Sequence, residues 1–252
     1  MFQRALAPGR RTKLGHRTVF LTPVFLNNPN NPLDTQSTFM LGLAIHTCGP
    51  ALGLALSHFD GEIRHQTWAL GRDLSTQLHS LLMEFIAPYA WKEFSFLAVA
   101  QGPGGFTGTR IGVVTARTLA QQLEVPLLGV SSLAAVAQRA IAPAAALGEA
   151  SGVAASGVAV EMQAQRGQLF TAIYKATASG LEATHPDQVL APAAWEAVLA
   201  QQSQPLHRVT VGDDLAETVV QVLELAHQRW QGGDRPDWSS VLPYYGQHPV
   251  DH

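Results

Sequence analysis

The sequence predicts an α/β protein in which one order of strands and helices occurs twice. Between residues 41 and 141, apolar runs and helical periodicities alternate in the order βββαβαβα. After a stretch rich in alanine and glycine at 143–157, the order βββαβα begins again. Hydrophobic residues make up 46% of the 252 residues and charged residues 14%, which is ample apolar material for a core. The two units predict two lobes, each with a mixed β-sheet covered by helices.

The first unit combines a three-stranded meander with two parallel strands reached through helices. Asp60-Gly61 is the turn signal of a tight hairpin between the second and third strands. In the helix that follows, apolar residues are spaced by three and four, and Pro88 ends it. The predicted elements are strands at 41–45, 51–57, 62–68, 94–100 and 126–130, and helices at 74–87, at 109–123 and from Ser131 or Ser132 to about residue 141.

The second unit is predicted from weaker patterns. Arg166-Gly167 marks a turn between its first two strands, and the third strand is only a short run. The predicted elements are strands at 158–162, 169–174, 188–190 and 208–211 and helices at 193–201 and 215–230. We therefore expect a first lobe at 40–146, a smaller second lobe at 147–230 whose last helix packs back on the first, and a tail at 231–252.

Composition excludes several classes of protein. Sixteen basic and nineteen acidic residues give a net charge of −3, which argues against gripping nucleic acid through bulk positive charge. A single cysteine excludes a disulfide framework and a cysteine-based zinc site. No apolar run approaches the length of a membrane span. We expect a cytoplasmic protein without a membrane segment.

The first 39 residues do not fit the α/β pattern. They begin basic, contain a short apolar patch interrupted by Pro23, and continue into a turn-rich run of asparagine and proline. A signal peptide would need a cleaner apolar stretch and a small-residue cleavage site. We interpret residues 1–39 as a disordered leader or as the product of a start assigned upstream of Met40, with a targeting segment as the alternative.

A glycine-rich segment between a strand and a helix is the most informative motif. Glycines allow positive φ and close approach of the main chain, and the next helix offers free N–H groups to a phosphate. The segment lacks the lysine of a P-loop and the third glycine of a dinucleotide fingerprint. A phosphate or nucleotide loop and a tight turn without a ligand both remain open. The candidate residues are Gly102, Pro103, Gly104, Gly105, Phe106, Thr107, Gly108 and Arg110.

Three stretches resemble the bacterial TsaB (YeaZ) family. The string GPGGFTGTRIGVVTARTLAQQLEVPLLGVSSLAAVAQ at 102–138 resembles its signature. LGLAIHTCGPALGLAL at 41–56 is similar to its first hairpin, and AQRGQLFTAIY at 164–174 to its second-lobe hairpin. The resemblance implies the two-lobe fold of actin and Hsp70, in which each lobe has ribonuclease H-like strand order.

The resemblance also implies a role without catalysis of its own. Members of the family support formation of N6-threonylcarbamoyladenosine at position 37 of tRNAs that read ANN codons. The transfer is made by a paralogue, TsaD, and an ATPase, TsaE, joins the pair. The implied partners are therefore a TsaD-like subunit, a TsaE-like ATPase or a second copy of the chain, with tRNA bound only indirectly and no cofactor.

The chain departs from its relatives at the positions that would carry metal chemistry. Two histidines of the catalytic paralogue align with Ser132 and Val136, and neither side chain replaces imidazole. The acidic residues at the ends of the first strands align with His46 and Gln163. Weak or absent ATP hydrolysis and no metal site are expected. An autonomous ATPase or a metallopeptidase-like enzyme of the same superfamily is the alternative.

Other candidate groups favour structural roles. Cys48 lacks an identifiable catalytic partner and is interpreted as a buried or strand-end cysteine. A histidine pair at the C-terminus, His248 and His252, is interpreted as part of a tail. The acidic pairs Asp213-Asp214 and Asp234…Asp237 are interpreted as turn and cap residues. The aromatic residues near the C-terminus are interpreted as packing across the lobes or docking a partner; they are Trp230, Trp238, Tyr244 and Tyr245.

Two first-lobe helices are the predicted partner surface. The resemblance implies helix–helix pairing through the helices predicted at 74–87 and 109–123. Small residues four apart on the second helix would let another helix approach closely, although they could equally pack on the protein's own sheet. The predicted interface residues are Leu78, Leu82, Gly112, Ala116 and Ala120. Relatives carry a Pro-x-Tyr-Leu-Arg string where this chain has 241–249, so the family's C-terminal contacts are not carried over.

Overall fold

Two mixed β-sheets form the framework of the chain. The computed structural model describes residues 40–146, 157–178, 180–212 and 214–246. The leader, the terminal histidine pair and Asp213 lie outside these ranges, so the predictions for them stay as they are. The first sheet has five strands in the order β3-β2-β1-β4-β5. They are β1 (Gly42–His46), β2 (Ala51–Ser57), β3 (Ile63–Ala69), β4 (Phe96–Ala100) and β5 (Leu127–Val130).

Burial along the strands agrees with this order. β1 and β4 are buried at every residue, as expected of central strands covered on both faces. β3 alternates between half-buried and exposed residues, as expected of an edge strand. β1 pairs antiparallel with β2 and parallel with β4, so Ile45 lies opposite both Leu54 and Val99.

Three helices belong to this first half: α1 (Leu74–Ile86), α2 (Phe106–Leu123) and α3 (Ser132–Ala146). α1 turns a row of apolar side chains toward the sheet, including Leu78 and Leu82. Arg64 on β3 closes the end of α1, because its guanidinium donates hydrogen bonds of 2.8 Å and 2.5 Å to the carbonyls of Ala87 and Phe85.

The second sheet has four strands in the order β8-β7-β6-β9. Its strands are β6 (Val158–Gln163), β7 (Leu169–Thr177), β8 (Gly180–Leu190) and β9 (His207–Thr210), and its helices are α4 (Pro192–Ala200) and α5 (Val219–Gln231). β6 repeats the pairing of β1: its antiparallel partner is β7 and its parallel partner is β9. The predicted class, a duplicated α/β fold with actin-like strand order in two lobes, is confirmed.

One helix from each half packs on the sheet of the other half. α5 contacts β1 and β2 of the first sheet, whereas α3 contacts β6 and β7 of the second, and the two helices touch each other. Their side chains share one buried cluster with residues of both sheets. α1 and α2 cover the opposite face of the first sheet, and Trp195 of α4 packs on the second. The boundaries expected at 146 and 230 remain predictions.

Two elements differ from their predicted extent. α2 begins at Phe106 rather than residue 109, so Phe106, Thr107 and Gly108 join Arg110 in the helix and do not lie in a loop. β8 spans eleven residues where only 188–190 was predicted. Pro186 and several polar side chains lie within β8, and a sheet edge tolerates both. In the part of the chain that the structure describes, no helix is both long and apolar enough to cross a membrane.

The core contacts of α1 predict the cost of shortening a buried side chain. Leu78 is completely buried between α1 and the first sheet. Leu78→Ala should lower the free energy of unfolding by about 2–5 kcal/mol, because transfer energy is lost and a cavity remains. Urea denaturation monitored by circular dichroism measures this value. Met83 is the matched control on the same helix, since it is 56% exposed and Met83→Ala should change stability by less than about 0.5 kcal/mol.

Candidate functional site

The glycine-rich segment lies against the end of β1. The N–H of Gly105 donates a hydrogen bond of 2.7 Å to the carbonyl of Cys48. The Thr47 hydroxyl donates a 2.8 Å hydrogen bond to the carbonyl of Gly108 in the first turn of α2. The segment that connects β4 to α2 is therefore joined to the turn that follows β1 by two short hydrogen bonds.

Close approach of α2 and its preceding loop to Thr47 and Cys48 accounts for three of the glycines. A Cβ atom at Gly104 would lie 2.3 Å from the Cys48 carbonyl oxygen, and one at Gly108 would lie 2.2 Å from that of Thr47. A Cβ at Gly112, one turn further along α2, would lie 2.1 Å from Thr47 Oγ1. Any larger residue at these positions would push α2 and its loop away from β1.

The start of α2 remains open to solvent. Gly105, Phe106, Thr107 and Arg110 are exposed, whereas Gly102 and Pro103 are buried. The first N–H groups of a helix have no partner within the helix and carry its positive dipole end. An anion could reach them here, so the phosphate or nucleotide loop stays a prediction, now centred on the first turn of α2.

His46 ends β1, at the position where the family resemblance implies a carboxylate. Its side chain is completely buried, and burial lowers its pKa to about 3. Nδ1 accepts a hydrogen bond of 3.3 Å from the Cys48 N–H, while Nε2 has no hydrogen-bond partner among the described residues. Because Nδ1 accepts from Cys48, the proton of the neutral imidazole sits on Nε2, so neither nitrogen has a free lone pair for a cation. At the equivalent end of β6, Gln163 is exposed and its amide donates to neighbouring carbonyls.

Cys48 is buried where the ends of β1 and β4 meet the starts of α2 and α3. Its thiol donates a hydrogen bond of 3.3 Å to the Ala100 carbonyl. Burial raises the pKa of the thiol, and the hydroxyls of Ser132 and Thr109 oppose that shift in part. The thiol is therefore protonated at neutral pH and shielded from solvent, which agrees with the structural role expected from the sequence.

The start of α3 lacks metal ligands. Ser132 is its first residue, is fully buried, and donates its N–H to the Gly102 carbonyl at 2.8 Å. Val136 is buried in the cluster shared by the two sheets. Among the described residues, no three histidine, cysteine, aspartate or glutamate side chains gather closely enough to hold a metal ion.

The predicted partner residues require correction. Leu78, Leu82, Gly112, Ala116 and Ala120 are all buried within the chain itself. They face the first sheet, because the small residues on α2 let that helix approach β1 and β4 closely. A partner that docked on these helices would meet Met83 and Val114, which are 56% and 51% exposed.

The acidic residues and the tail aromatics have structural partners. Asp237 caps a short turn by accepting from the Ser239 N–H at 2.8 Å, and Asp234 forms an ion pair of 2.7 Å with Arg229. Asp214 forms one of 3.1 Å with Arg139. The ring of Trp230 stacks near Phe96, and that of Trp238 lies beside Arg117. Tyr244 and Tyr245 also make contacts within the chain.

One half-buried polar cluster was missed by the sequence analysis. Asp187 on β8 accepts hydrogen bonds of 2.6 Å from the Tyr174 hydroxyl and 2.5 Å from the Ser131 hydroxyl. Ser131 also caps α3 by accepting from the N–H groups of Leu133 and Ala134. Burial raises the pKa of Asp187. The cluster joins the start of α3 to the second sheet, and it could not be predicted while β8 was assigned only to 188–190.

Burial of a neutral His46 predicts a pH-dependent loss of stability. The unfolded chain protonates this residue below about pH 6.5, whereas the folded chain does so only near pH 3. Its contribution is thus fully present above about pH 6.5 and is lost as the pH falls toward 3. Between pH 7 and pH 5 the free energy of unfolding should fall by about 2 kcal/mol more in the wild type than in His46→Asn, as measured by urea denaturation.

His79→Asn, at an exposed position of α1, is the control and should keep the wild-type pH dependence. Equal pH dependence in His46→Asn and the wild type would contradict the assignment.

Comparison with known proteins identifies relatives along most of the chain. A family model described as "TsaD: tRNA N6-adenosine threonylcarbamoyltransferase" matches residues 72–219. The tRNA threonylcarbamoyladenosine biosynthesis protein TsaB of Bacillus subtilis (strain 168) is 34% identical over 214 residues, which cover 81% of this chain and 86% of that protein. The TsaB protein of Escherichia coli (strain K12) is 33% identical over 100 residues, 39% of this chain and 43% of its own length.

A solved structure supports the same relationship. A crystal structure from Pseudomonas aeruginosa, described as an uncharacterized protein with similarity to the peptidase YeaZ, superposes with a TM-score of 0.61 at 25% identity. The match covers 82% of this chain and 100% of that one. With the glycine-rich segment and the duplicated fold in place, these matches show that the chain belongs to the TsaB (YeaZ) family.

Proposed function

We propose that this chain is a non-catalytic subunit in the formation of N6-threonylcarbamoyladenosine at position 37 of tRNAs that read ANN codons. Membership of the TsaB family supports a part in threonylcarbamoyladenosine biosynthesis. In this role the chain binds and supports a TsaD-type catalytic subunit in the cytoplasm, and a TsaE-type ATPase joins them. Pairing of the chain with itself is a competing use of the same surface.

The chemistry at the strand ends carries the non-catalytic part of the proposal. A metal–nucleotide site in this fold needs carboxylates that hold a divalent cation. Here β1 ends in a buried neutral imidazole and β6 in an exposed amide. At the start of α3, a serine and a valine occupy the positions where the catalytic paralogue carries its two histidines. Among the described residues, these positions do not supply the donors that an autonomous ATPase or metallopeptidase would use, which supports the proposal.

The charge of the chain supports an indirect relation to tRNA. Proteins that grip RNA through its phosphates concentrate lysine and arginine on the contact surface. This chain has a net charge of −3, and several arginines are already engaged. Arg139 and Arg208 form ion pairs with acidic side chains, and Arg64 binds main-chain carbonyls at the end of α1. Contact with the tRNA is therefore assigned to the partner subunits.

The outer faces of α1 and α2 are the proposed partner surface. Exposed apolar side chains that together form one surface mark interaction sites, whereas single ones are normal. Met83 on α1 and Val114 on α2 are both more than half exposed. Both helices cover the same face of the first sheet, so one partner could contact both.

Charge placed on this surface should weaken pairing without unfolding the chain. Val114→Arg and Met83→Arg should each reduce affinity for the TsaD-type subunit roughly tenfold or more, because a charge would be buried without a partner. Isothermal titration calorimetry measures the affinity, and circular dichroism verifies folding. Ala197→Arg on the exposed face of α4 is the matched control and should bind as the wild type does. Ala116→Arg does not test pairing, because it would place the charge in the core.

Loss of the gene tests the function itself. A deletion strain should lose threonylcarbamoyladenosine from its ANN-decoding tRNAs, as measured by mass spectrometry of digested tRNA, and the wild-type gene should restore it. Val114→Arg should restore less than Ala197→Arg. Normal levels of the modified nucleoside in the deletion strain would contradict the proposal. ATP turnover by the purified chain alone, at rates of about 1 per second or more, would favour the autonomous enzyme instead.

A further inference from the structure

The last described residues form a strap across the two halves of the fold. We define the C-terminal strap as residues 241–246, which follow the short turn Trp238–Ser240. Val241 is buried in the core beneath α1 and α2. Leu242 points outward and is 60% exposed, while Tyr244 and Tyr245 are half-buried.

On the first sheet, the strap contacts the glycine-rich segment. The Tyr244 N–H donates a hydrogen bond of 2.6 Å to the Gln101 carbonyl, just before the first glycine. A Cβ atom at Gly102 would lie 2.3 Å from the Tyr244 carbonyl oxygen, so the two main chains are in direct contact. The rings of Tyr245 and Phe106 lie 4.6 Å apart between centroids, which places Tyr245 beside the first residue of α2.

On the second sheet, the strap contacts β7 and β8. The Tyr244 hydroxyl donates a hydrogen bond of 2.8 Å to the main-chain carbonyl of Asp187. A Cβ atom at Gly246 would lie 2.8 Å from both Phe170 and Val189. The strap therefore has polar and close-packed contacts with both sheets over a few residues.

The glycine-rich segment is thus held by two different parts of the chain. Its Gly105 N–H is bound to Cys48, whose Cβ would lie 2.6 Å from a Cβ at Gly104. The strap holds the same segment at Gln101, Gly102 and Phe106. Cys48 is 1% exposed, and the segment lies directly against it. Movement of the segment away from Cys48 would break the strap contacts as well.

We propose that the C-terminal strap is a latch that keeps the glycine-rich segment closed over Cys48 and ties it to the second sheet. When the strap is released, the segment opens and the end of β1 becomes accessible, while the buried clusters on both sheets stay packed. The closed form blocks access from this side to the ends of β1 and β4. The latch is a property of the chain alone and does not depend on the proposed function.

Cys48 provides a native probe of this opening. It is the single cysteine of the 252 residues, so the reaction of the full-length chain with a thiol reagent reports on one site. A buried thiol reacts only when the structure around it opens. The rate of reaction with 5,5′-dithiobis(2-nitrobenzoate) under native conditions therefore follows the population of the open segment.

Three strap variants and one control test the latch. Tyr244→Phe removes the hydrogen bond to Asp187, and Tyr245→Ala removes the ring beside Phe106. Gly246→Ala places a Cβ against Phe170 and Val189 at a positive φ of 63°. Each should raise the rate of Cys48 labelling roughly two- to tenfold. Leu242→Ala lies in the same strap, but its side chain faces solvent, and its labelling rate should stay within about twofold of the wild type.

Hydrogen exchange separates a latch from general destabilisation. In the strap variants, exchange should increase in residues 101–108 and remain unchanged in β2, which is central to the first core. Faster labelling with this local pattern supports the latch. Labelling rates equal to that of the wild type would overturn it, as would faster labelling accompanied by an equal increase of exchange in β2.

Discussion

Direct contact between the main chains of the glycine-rich segment and the end of β1 is the constraint on which the surrounding structure depends. Gly104 and Gly108 permit it, and the hydrogen bonds from Gly105 and Thr47 hold it. Because the segment is fixed there, α2 begins at Phe106. The same segment positions α3, whose first residue Ser132 bonds to the Gly102 carbonyl. Close packing against Thr47 and Cys48 is enough to explain why Gly104 and Gly108 are glycines. A ligand would contact only the exposed first turn of α2.

The two halves depend on each other because α3 and α5 each pack on the sheet of the opposite half. Each helix packs mainly on the sheet of the other half, and both contribute to one shared apolar cluster. Ser131 and Asp187 add a polar link at the start of α3. Neither half alone could bury the sheet face that contributes to this cluster, because the helix that covers that face comes from the other half. The two halves therefore repeat one topology, but in the described residues each half depends on the other for its stability.

Much of the fold could be predicted because local patterns and tertiary packing agree. Asp60-Gly61 marks the hairpin, and the spacing of Leu74, Leu78 and Leu82 marks the buried face of α1. β8 was largely missed, because Pro186 and polar residues at a sheet edge give no strand periodicity. The residues predicted for the partner surface are buried within the chain for a physical reason. A row of small residues permits close packing against any neighbour, and the pattern does not say whether that neighbour is a partner or the protein's own sheet. The positions of His46 and Gln163 at strand ends were predictable from the fold, whereas the cluster around Asp187 was not.

The partner strands of β1 in the first sheet, and of β6 in the second, suggest an order of folding. Each has one antiparallel partner that is close in sequence and one parallel partner that is distant: Ile45 faces both Leu54 and Val99, and Val160 faces both Ala172 and Val209. Closing a short loop costs less chain entropy than closing a long one, so the two meanders should form before the parallel pairs. The glycine-rich segment follows β4 and can dock on β1 only after that strand has arrived. This part of the first half therefore becomes structured after the meander, and the strap then covers it.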